Sequence, residues 1–472
     1  MRTIFRFTAL AAASLVLAGC ASVNIDQTVL DTNNATATFT GGGLALNRNA
    51  QQLQARSTLS AELLAKPLSR DDAVQLALAN SPAVQTLLAQ SWADMAQANQ
   101  AGRIANPVFT FERIRSGDEL ELGRLLSFGL LDLLMLPRRM EISRGQVAQA
   151  RVQLSANVVE QVTQVRQAWV RAVAAQQSLE YANQVNRSTQ ASAELARRMQ
   201  QVGNFNKLQR ARQQVFYADS AAQLASAQHA ATAAREELTR LLGLSDAQAG
   251  QLQLPERLPD LPKEPRQPAL VSASATEQRL DVQLARNQLE MAGQSQGLSL
   301  ITSLVDVELG IRRDTVFDNA EGTKSARKGY ELGIRLPIFD WGSAKRDAMN
   351  AQSLAAVNRY ESTVRGASSQ LRESYSAYRT AYDVARHYRD EIVPLRKTMA
   401  DENVLRYNGM LIGVFELLAD NRDQISSVVA AINAYQQFWL AEAALAASMT
   451  GKPTASAMAA SATGGSDKAA GH

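Results

Sequence analysis

The sequence predicts a mainly α-helical chain with a small membrane-inserted β part and an internal duplication. Leu126–Arg139 aligns with Tyr330–Ser343, and Gly203–Gln214 aligns with Gly413–Gln424. Each half reads as a helical run, two short alternating strands, a very long helix, a turn marked by glycine and a returning helix. Four strands beside helices longer than a globular core uses indicate a membrane-spanning tube rather than an enzyme.

The N-terminus reads as a lipoprotein signal peptide over residues 1–20. Arg2 and Arg6 precede the apolar stretch Phe7–Leu17, which small residues follow. The stretch ends in Leu-Ala-Gly-Cys, which matches the bacterial lipobox, so Cys20 is expected to carry lipid and become the mature N-terminus. Cys20 is the only cysteine of the chain, and this cleavage site gives the lone thiol a use. The alternative is an ordinary signal peptide that happens to end in cysteine.

Charge and hydropathy narrow the function classes. The chain has 49 basic and 45 acidic residues, with no basic run interleaved with aromatic residues, so nucleic-acid binding is set aside. Beyond the signal peptide, no apolar stretch reaches about eighteen residues, the length that a transmembrane helix needs. Strands must therefore make any membrane crossing.

Alternation of apolar and polar residues predicts two β-hairpins. In the second half, the apolar positions 305, 307, 309 and 311 alternate with polar ones, and a charged loop is expected at about 313–328. The next strand should direct one set of side chains to lipid and the other to a lumen: Leu332, Ile334 and Leu336 against Glu331, Gly333 and Arg335. Val108–Arg115 and Leu120–Leu130 are weaker strands of the same kind. A soluble amphipathic hairpin is the alternative, which two hairpins in equivalent places disfavour.

Four strands cannot close a barrel, because known single-chain barrels begin at eight. An open edge in hydrocarbon leaves backbone N–H and C=O groups unpaired, and each costs several kcal/mol. The chain must therefore pool its strands with copies of itself. Strand number alone permits two copies or three.

The long helices are predicted over residues 140–199 and 343–406. Their apolar spacing is close to 3.5 residues, which is typical of packed, coiled-coil-like helices, and about sixty residues span roughly 90 Å. The Tyr375, Tyr378 and Tyr382 stripe is interpreted as a seam between helices rather than a ligand-stacking ladder. Pro394 is expected to kink or break the second helix.

Each long helix should end in a turn, at 202–206 and 407–413, followed by returning helices over 207–242 and 414–449. The domain boundaries follow from these elements. They are a signal peptide (1–20), an N-terminal segment (21–67), a first repeat (68–250, hairpin about 107–131), a stiff proline-rich linker (251–273), a second repeat (274–452, hairpin about 300–339) and a disordered tail (453–472).

Lipobox, repeat, hairpins, linker and tip turns together resemble the TolC family of outer-membrane factors. The most similar pieces are Gly333–Asp347 and Arg406–Gln424, and the resemblance covers about residues 68–451. It implies a homotrimer with a twelve-stranded transmembrane barrel and a long periplasmic α-helical barrel. It also implies an exit duct of a tripartite efflux or type I secretion system, with a periplasmic adaptor and an inner-membrane pump as partners.

The tips carry the candidate channel residues. Glu416 and Asp420 lie four residues apart and share a helix face, and the resemblance places an acidic constriction at Glu416. Arg406 and Tyr407 are candidate latch partners. The tip glycines and their neighbour are expected to contact the adaptor: Gly203, Asn204, Gly409 and Gly413. A solvated helix start, where acids suit the positive end of the dipole, is the alternative for Glu416 and Asp420.

Catalytic and cofactor sites are not expected. His229, His387 and His472 stand alone without partners at metal-ligand spacing, and Gly41–Gly43 lacks the context of a phosphate-binding loop. We therefore expect no cofactor and no bound metal, and only a covalent lipid at Cys20. A coiled-coil periplasmic scaffold without channel activity and a general porin are the other function classes considered.

Overall fold

The structure is a computed structural model that describes residues 24–267, 279–304, 306–318, 320–336, 338–339 and 341–452. Two compact units make up the chain, and each draws on three separate stretches. The first unit contains residues 24–28, 89–154 and 282–364 with the sheet, and the second contains residues 29–88, 155–281 and 365–452 with most of the helices. The predicted fold class, mostly helical with a small β part, is confirmed at this level.

The first unit is built on one antiparallel sheet. Its strands are β1 (Val108–Ser116), β2 (Glu119–Gly129), β3 (Asp306–Asp318) and β4 (Thr323–Arg335). They follow the order β1-β2-β3-β4, so the sheet of this chain has two unpaired edges, on β1 and on β4. Gly117 adopts a φ of 60° between β1 and β2, a left-handed conformation that glycine takes without steric cost.

The charged loop expected at about 313–328 is wrong. β3 continues to Asp318 and β4 begins at Thr323, and these two residues are the last pair of the ladder. Antiparallel pairing joins backbone groups, so charged side chains exposed to water do not interrupt it. The predicted strand ended at Arg312 because apolar residues give way to polar ones at that point.

Helices account for most of the remaining described residues. They are α1 (Ile25–Thr40), α2 (Ala50–Leu64), α3 (Arg70–Asn80), α4 (Pro82–Ala101), α5 (Leu130–Leu134), α6 (Leu136–Gln201), α7 (Lys207–Leu242), α8 (Asp246–Ala249), α9 (Leu280–Leu304), α10 (Ser343–His387), α11 (Val393–Asn408) and α12 (Val414–Thr450). The expected start of the second tip at Tyr407 is wrong, because α11 continues to Asn408 and only residues 409–413 form the turn.

Two helical hairpins dominate the second unit. We call Ser155–Leu242, formed by α6 and α7, the first hairpin, and Arg365–Thr450, formed by α10, α11 and α12, the second hairpin. Helix α6 runs for 66 residues without a break, which corresponds to about 100 Å. Its inward residues in the first hairpin are mainly aliphatic and mostly closed to solvent. They include Val158, Val162 and Val165, beside the buried Trp169.

The second hairpin is interrupted where Pro394 was expected to disturb it. A π-helical turn, Tyr388–Ile392, separates α10 from α11, and Pro394 lies in the first turn of α11. Proline has no N–H to donate to the carbonyl four residues earlier. The wider π-helical turn is one of the local adjustments that a helix makes at such a point.

Aromatic side chains fill the interior of the second hairpin. Tyr378, Tyr382 and Phe438 are almost fully buried, and the Phe438 ring centroid lies 5.6 Å from that of Tyr378 and 5.8 Å from that of Tyr382. These spacings are those of favourable offset and edge-to-face pairs. The interpretation of the tyrosine stripe as a seam between helices is confirmed, and we call these three rings the aromatic seam.

The proline-rich segment ending at Gln267 forms neither helix nor strand over residues 252–267, and it is bonded to the second hairpin. The hydroxyl of Tyr382 donates to the carbonyls of Pro262 (3.1 Å) and Lys263 (3.0 Å). The Arg266 amide donates to the Tyr378 hydroxyl at 3.1 Å, and the indole N–H of Trp439 donates to a further carbonyl of this segment at 3.1 Å. Tyrosine hydroxyls at the seam therefore satisfy backbone groups that a helix or strand would otherwise satisfy.

Candidate channel elements

One face of the sheet carries apolar side chains that are exposed in the chain. Residues directly opposite each other on paired strands share a face, and the pairing places one apolar residue from each strand in a single row. That row consists of Phe109, Leu126, Ile311 and Tyr330. The Tyr330 side chain is 86% exposed, which indicates a surface that needs an apolar covering.

Two further apolar rows lie beside the first, nearer the helical ends of the strands. Leu309 pairs with Leu332, and Val307 pairs with Ile334. Glu331 and Arg335 lie on the other face, as the alternation predicts. Leu336 differs from the expectation in one respect, because β4 ends at Arg335 and Leu336 follows the strand. We call the three rows together the apolar band.

The opposite face of the sheet carries ion pairs. The Arg312 guanidinium lies 3.0 Å from a Glu112 carboxylate oxygen on β1 and 2.9 Å from one of Asp314 on β3. Arg335 reaches Asp306 across the β3–β4 pair at 3.3 Å. Charges on this face are therefore largely compensated within the chain, as expected for side chains that face water.

The second tip is an exposed turn with few side-chain bonds. Backbone amides of Met410 and Leu411 donate to the carbonyls of Tyr407 (2.9 Å) and Arg406 (2.8 Å) and close the end of α11. Met410 has a φ of 58°, and its side chain is 92% exposed. Gly413 begins α12 without a side-chain cap, so one orphan N–H group of that helix lacks the usual capping oxygen.

Glu416 and Asp420 both lie on α12, but their surroundings differ. Glu416 is exposed in the first turn, where a carboxylate interacts favourably with the positive end of the helix dipole. Asp420 is half-buried and accepts a hydrogen bond from the Asn403 side chain of α11. The two acids therefore do not act alike, and sequence spacing alone missed Asn403 because its partner lies on another helix.

Arg406 and Tyr407 lie in the last turn of α11. Within the described part of the chain, neither side chain is bonded to Glu416 or Asp420. The side-chain bonds between these helices lie further from the turn, where Arg396 of α11 contacts Asp423 of α12 at 3.2 Å. The latch expected from Arg406 and Tyr407 therefore stays a prediction about contacts beyond this single chain.

The first tip is held more tightly than the second. Gly203 adopts a φ of 84°, and the amides of Asn204 and Phe205 both donate to the Met199 carbonyl, at 2.8 and 3.2 Å. The Phe205 side chain is 8% exposed. Asn206 caps α7 through a reciprocal capping box with Gln209.

The two hairpins also contact each other near their tips. The Arg422 guanidinium of α12 lies 4.0 Å from the Phe216 ring centroid of α7. This distance is well within cation–π range. The contact was not expected from the sequence, because it joins two helices that lie far apart along the chain.

Cys20, the expected lipidation site, lies outside the described residues. None of the described helices is long and apolar enough to cross a membrane. Across the ranges that the structure covers, no cluster of three or more His, Cys, Asp or Glu side chains is placed to hold a metal ion.

Solved structures share this architecture over most of the chain. The outer membrane channel CmeC of Campylobacter jejuni matches with a TM-score of 0.68 at 14% identity, covering 86% of this chain and 89% of that one. The MtrE outer membrane channel of Neisseria gonorrhoeae matches with a TM-score of 0.64 at 18% identity, over 81% and 89%. The outer membrane protein VceC of Vibrio cholerae matches with a TM-score of 0.66 at 16% identity, over 81% and 96%.

The chain has the fold of these outer-membrane channels. This outer-membrane channel fold is the one that the resemblance to the TolC family implied. No protein-family model matches the sequence, and no curated protein matches it either. The likeness is therefore visible in the structure at identities too low for those sequence comparisons.

Proposed function

We propose that this chain is the outer-membrane exit duct of a tripartite efflux system. In this role it passes substrates from an inner-membrane pump and a periplasmic adaptor across the outer membrane. The apolar band carries the proposal, because it crosses all four strands while the other face of the sheet holds compensated charges. A sheet with one face toward lipid and the other toward water requires this division. The outer-membrane channel fold adds support.

The duct is a homotrimer in this proposal. Each copy has unpaired edges on β1 and β4, and hydrocarbon does not tolerate unpaired backbone groups. Pairing β4 of one copy with β1 of the next closes a ring, and three copies contribute twelve strands, enough for a channel. The long helices of the three copies then line a periplasmic tunnel.

Planar-bilayer recording of the full-length protein tests the duct. We expect discrete conductance steps and a trimer by native mass spectrometry in detergent. A non-conducting protein that stays in solution without detergent would instead fit the periplasmic scaffold. Absence of steps from correctly trimeric protein would overturn the proposal.

A pair of neighbouring substitutions tests the orientation of the sheet. Ile334→Arg places a charge in the apolar band and should cost about 2–4 kcal/mol near the bilayer centre, whereas Gly333→Arg on the other face should cost far less. An added Cβ at Gly333 meets only Glu308 Cβ, at 3.7 Å, which is ordinary van der Waals contact, so the first side-chain atom of the control fits without a clash. The yield of membrane-inserted trimer measures the difference, and equal yields would contradict this orientation.

Glu416 is the proposed selectivity residue at the periplasmic mouth, with Asp420, Arg406 and Tyr407 as supporting gate residues. Three copies of an exposed carboxylate attract cations to a narrow entrance. Glu416→Ala should reduce cation preference and block by added divalent cations, whereas Glu402→Ala, on the exposed side of α11, should not. Unchanged selectivity in Glu416→Ala would leave this residue as an ordinary surface acid.

The exposed tips are the proposed contact with the periplasmic adaptor. The two turns where α6 and α11 end contain Gly203, Asn204, Gly409 and Gly413.

Cys20 is proposed to anchor the chain to the outer membrane through its covalent lipid. Cys20→Ser should abolish labelling by a radioactive fatty acid, and labelling that persisted would contradict this anchor.

A further inference from the structure

The apolar face of the sheet carries an uncompensated row of basic residues. Arg124 of β2 is directly opposite Arg313 of β3, and Arg313 is directly opposite Lys328 of β4. All three side chains are exposed. Phe111 completes the row on β1.

Like charges directly opposite each other destabilise a sheet. Elsewhere in this sheet the basic residue Arg312 has three acidic partners, two of them on other strands. Among the described residues, by contrast, no carboxylate forms an ion pair with Arg124, Arg313 or Lys328. This sheet therefore compensates charge on one face and leaves it uncompensated on the other.

The position of the row indicates what compensates it. Arg124, Arg313 and Lys328 each lie two residues from a member of the apolar band, on the side of the hairpin turns. Two residues of a strand span about 7 Å. A charge at this distance from an apolar belt lies at the level of lipid headgroups rather than of acyl chains.

We propose that Arg124, Arg313 and Lys328 form a binding site for the phosphate groups of a phosphorylated glycolipid in the outer leaflet. This inference rests on the proposed function, because it takes the apolar band to face lipid. Guanidinium groups bind phosphate oxygens through paired N–H donors, and the ammonium of Lys328 adds a point charge. A row spread over three strands presents these donors side by side to one headgroup.

Native mass spectrometry of the full-length trimer in detergent tests the site. The probes are a bis-phosphorylated lipid A, the same glycolipid with its phosphates removed, and a phosphatidylethanolamine. Wild type should retain the phosphorylated glycolipid in preference to both others. Equal retention of the dephosphorylated glycolipid would overturn phosphate recognition.

Substitutions then locate the site. Each basic residue near an anionic lipid surface contributes about a fivefold factor, so R124Q/R313Q/K328Q should weaken retention about 100-fold, and K328Q alone about fivefold. R327Q is the matched control, because Arg327 precedes Lys328 and faces the other side of the sheet. Retention by the triple variant equal to wild type, or equal losses in K328Q and R327Q, would overturn the proposal.

The same preparations separate this inference from the duct itself. The triple variant changes no residue assigned to the lumen, so its conductance should match that of wild type. If the protein did not conduct but its lipid retention depended on the basic row, the proposal of a duct would be contradicted and the proposal of a lipid site would stand. If the protein conducted but its lipid retention did not depend on the basic row, the proposal of a lipid site would be contradicted and the proposal of a duct would stand.

Discussion

The two helical hairpins of the second unit share a plan and are stabilised in different places. The first hairpin has a continuous long helix, mainly aliphatic interior residues and a tip fixed by Phe205 and the Asn206 cap. The second has a π-helical turn, an aromatic seam bonded to the proline-rich segment, and an uncapped tip with Met410 exposed. Stability is therefore spread along the first hairpin and concentrated at the seam in the second, which leaves the second tip more weakly held.

Removing a ring from the aromatic seam should produce the largest effect on this comparison. Phe438→Ala leaves a cavity beside Tyr378 and Tyr382 and should cost about 3–5 kcal/mol. Tyr382→Phe keeps the ring but removes the bonds to two linker carbonyls, and should cost about 1 kcal/mol. Denaturant unfolding followed by circular dichroism measures both. Equal costs would mean that the rings are not what stabilises the seam.

Adding a proline to the first long helix and removing Pro394 from the second tests whether proline is the reason that only the second is interrupted. Gln184 of α6 lies nineteen residues before Gly203, and Pro394 lies nineteen before Gly413. Gln184→Pro breaks an uninterrupted helix at an exposed position and should cost about 3 kcal/mol. Pro394→Ala should cost far less, because the π-helical turn has already adapted to the missing N–H. A similar loss of thermal midpoint in both variants would contradict this account.

Changing the caps should make the tips more alike. Asn206→Ala removes the capping oxygen of α7 and should cost about 1 kcal/mol, whereas Gly413→Ser supplies a cap to α12 and should gain a few tenths. Gly413 has a φ of −81° and open space around an added Cβ, so serine fits there. Hydrogen exchange at residues 207–210 and 414–417 reports each helix start. Unchanged exchange at 414–417 in Gly413→Ser would show that capping is not what distinguishes the tips.

The smallest effect concerns acid stability near the first tip. Hydrogen bonds from Arg197 and Arg198 lower the pKa of Glu194 from 4.5 to about 2. Because the folded pKa lies below the unfolded one, the contribution is present above about pH 4.5 and is lost as the pH falls toward 2. Glu194→Gln should slightly reduce the change of the thermal midpoint with pH over that window. Glu180→Gln is the control. The same dependence of the thermal midpoint on pH in Glu194→Gln and in wild type would contradict this contribution of Glu194.

Periodicity was enough to place the long and returning helices of the two hairpins and the first two strands, but it gave no bounds for α1–α5, α8 and α9. The returning helix α7 begins and ends where its apolar spacing and flanking turns predict, and β1 and β2 lie within a residue or so of their expected ends. The extension of β3 to Asp318 was missed because backbone pairing continues after the apolar alternation stops. Side-chain periodicity carries no information about that pairing.

The contacts between distant segments could not be predicted from the sequence. The bond from Asn403 to Asp420 and the Arg422–Phe216 contact join different helices, so no local pattern marks them. The stripe of Tyr378 and Tyr382 was interpreted correctly as packing, but the role of its hydroxyls depends on where the proline-rich segment lies. Proline content predicts that a segment is extended and says nothing of what it lies against.

The β2–β3 ladder has a consequence for how the polypeptide can be divided. β2 precedes the proline-rich segment and β3 follows it, yet they pair from Glu119 opposite Asp318 to Gly129 opposite Glu308. A protease cut after Lys263 would therefore break the covalent connection without separating the strands that it joins. Two fragments made as separate polypeptides should find each other through this ladder, which makes the protein a candidate for split-fragment complementation.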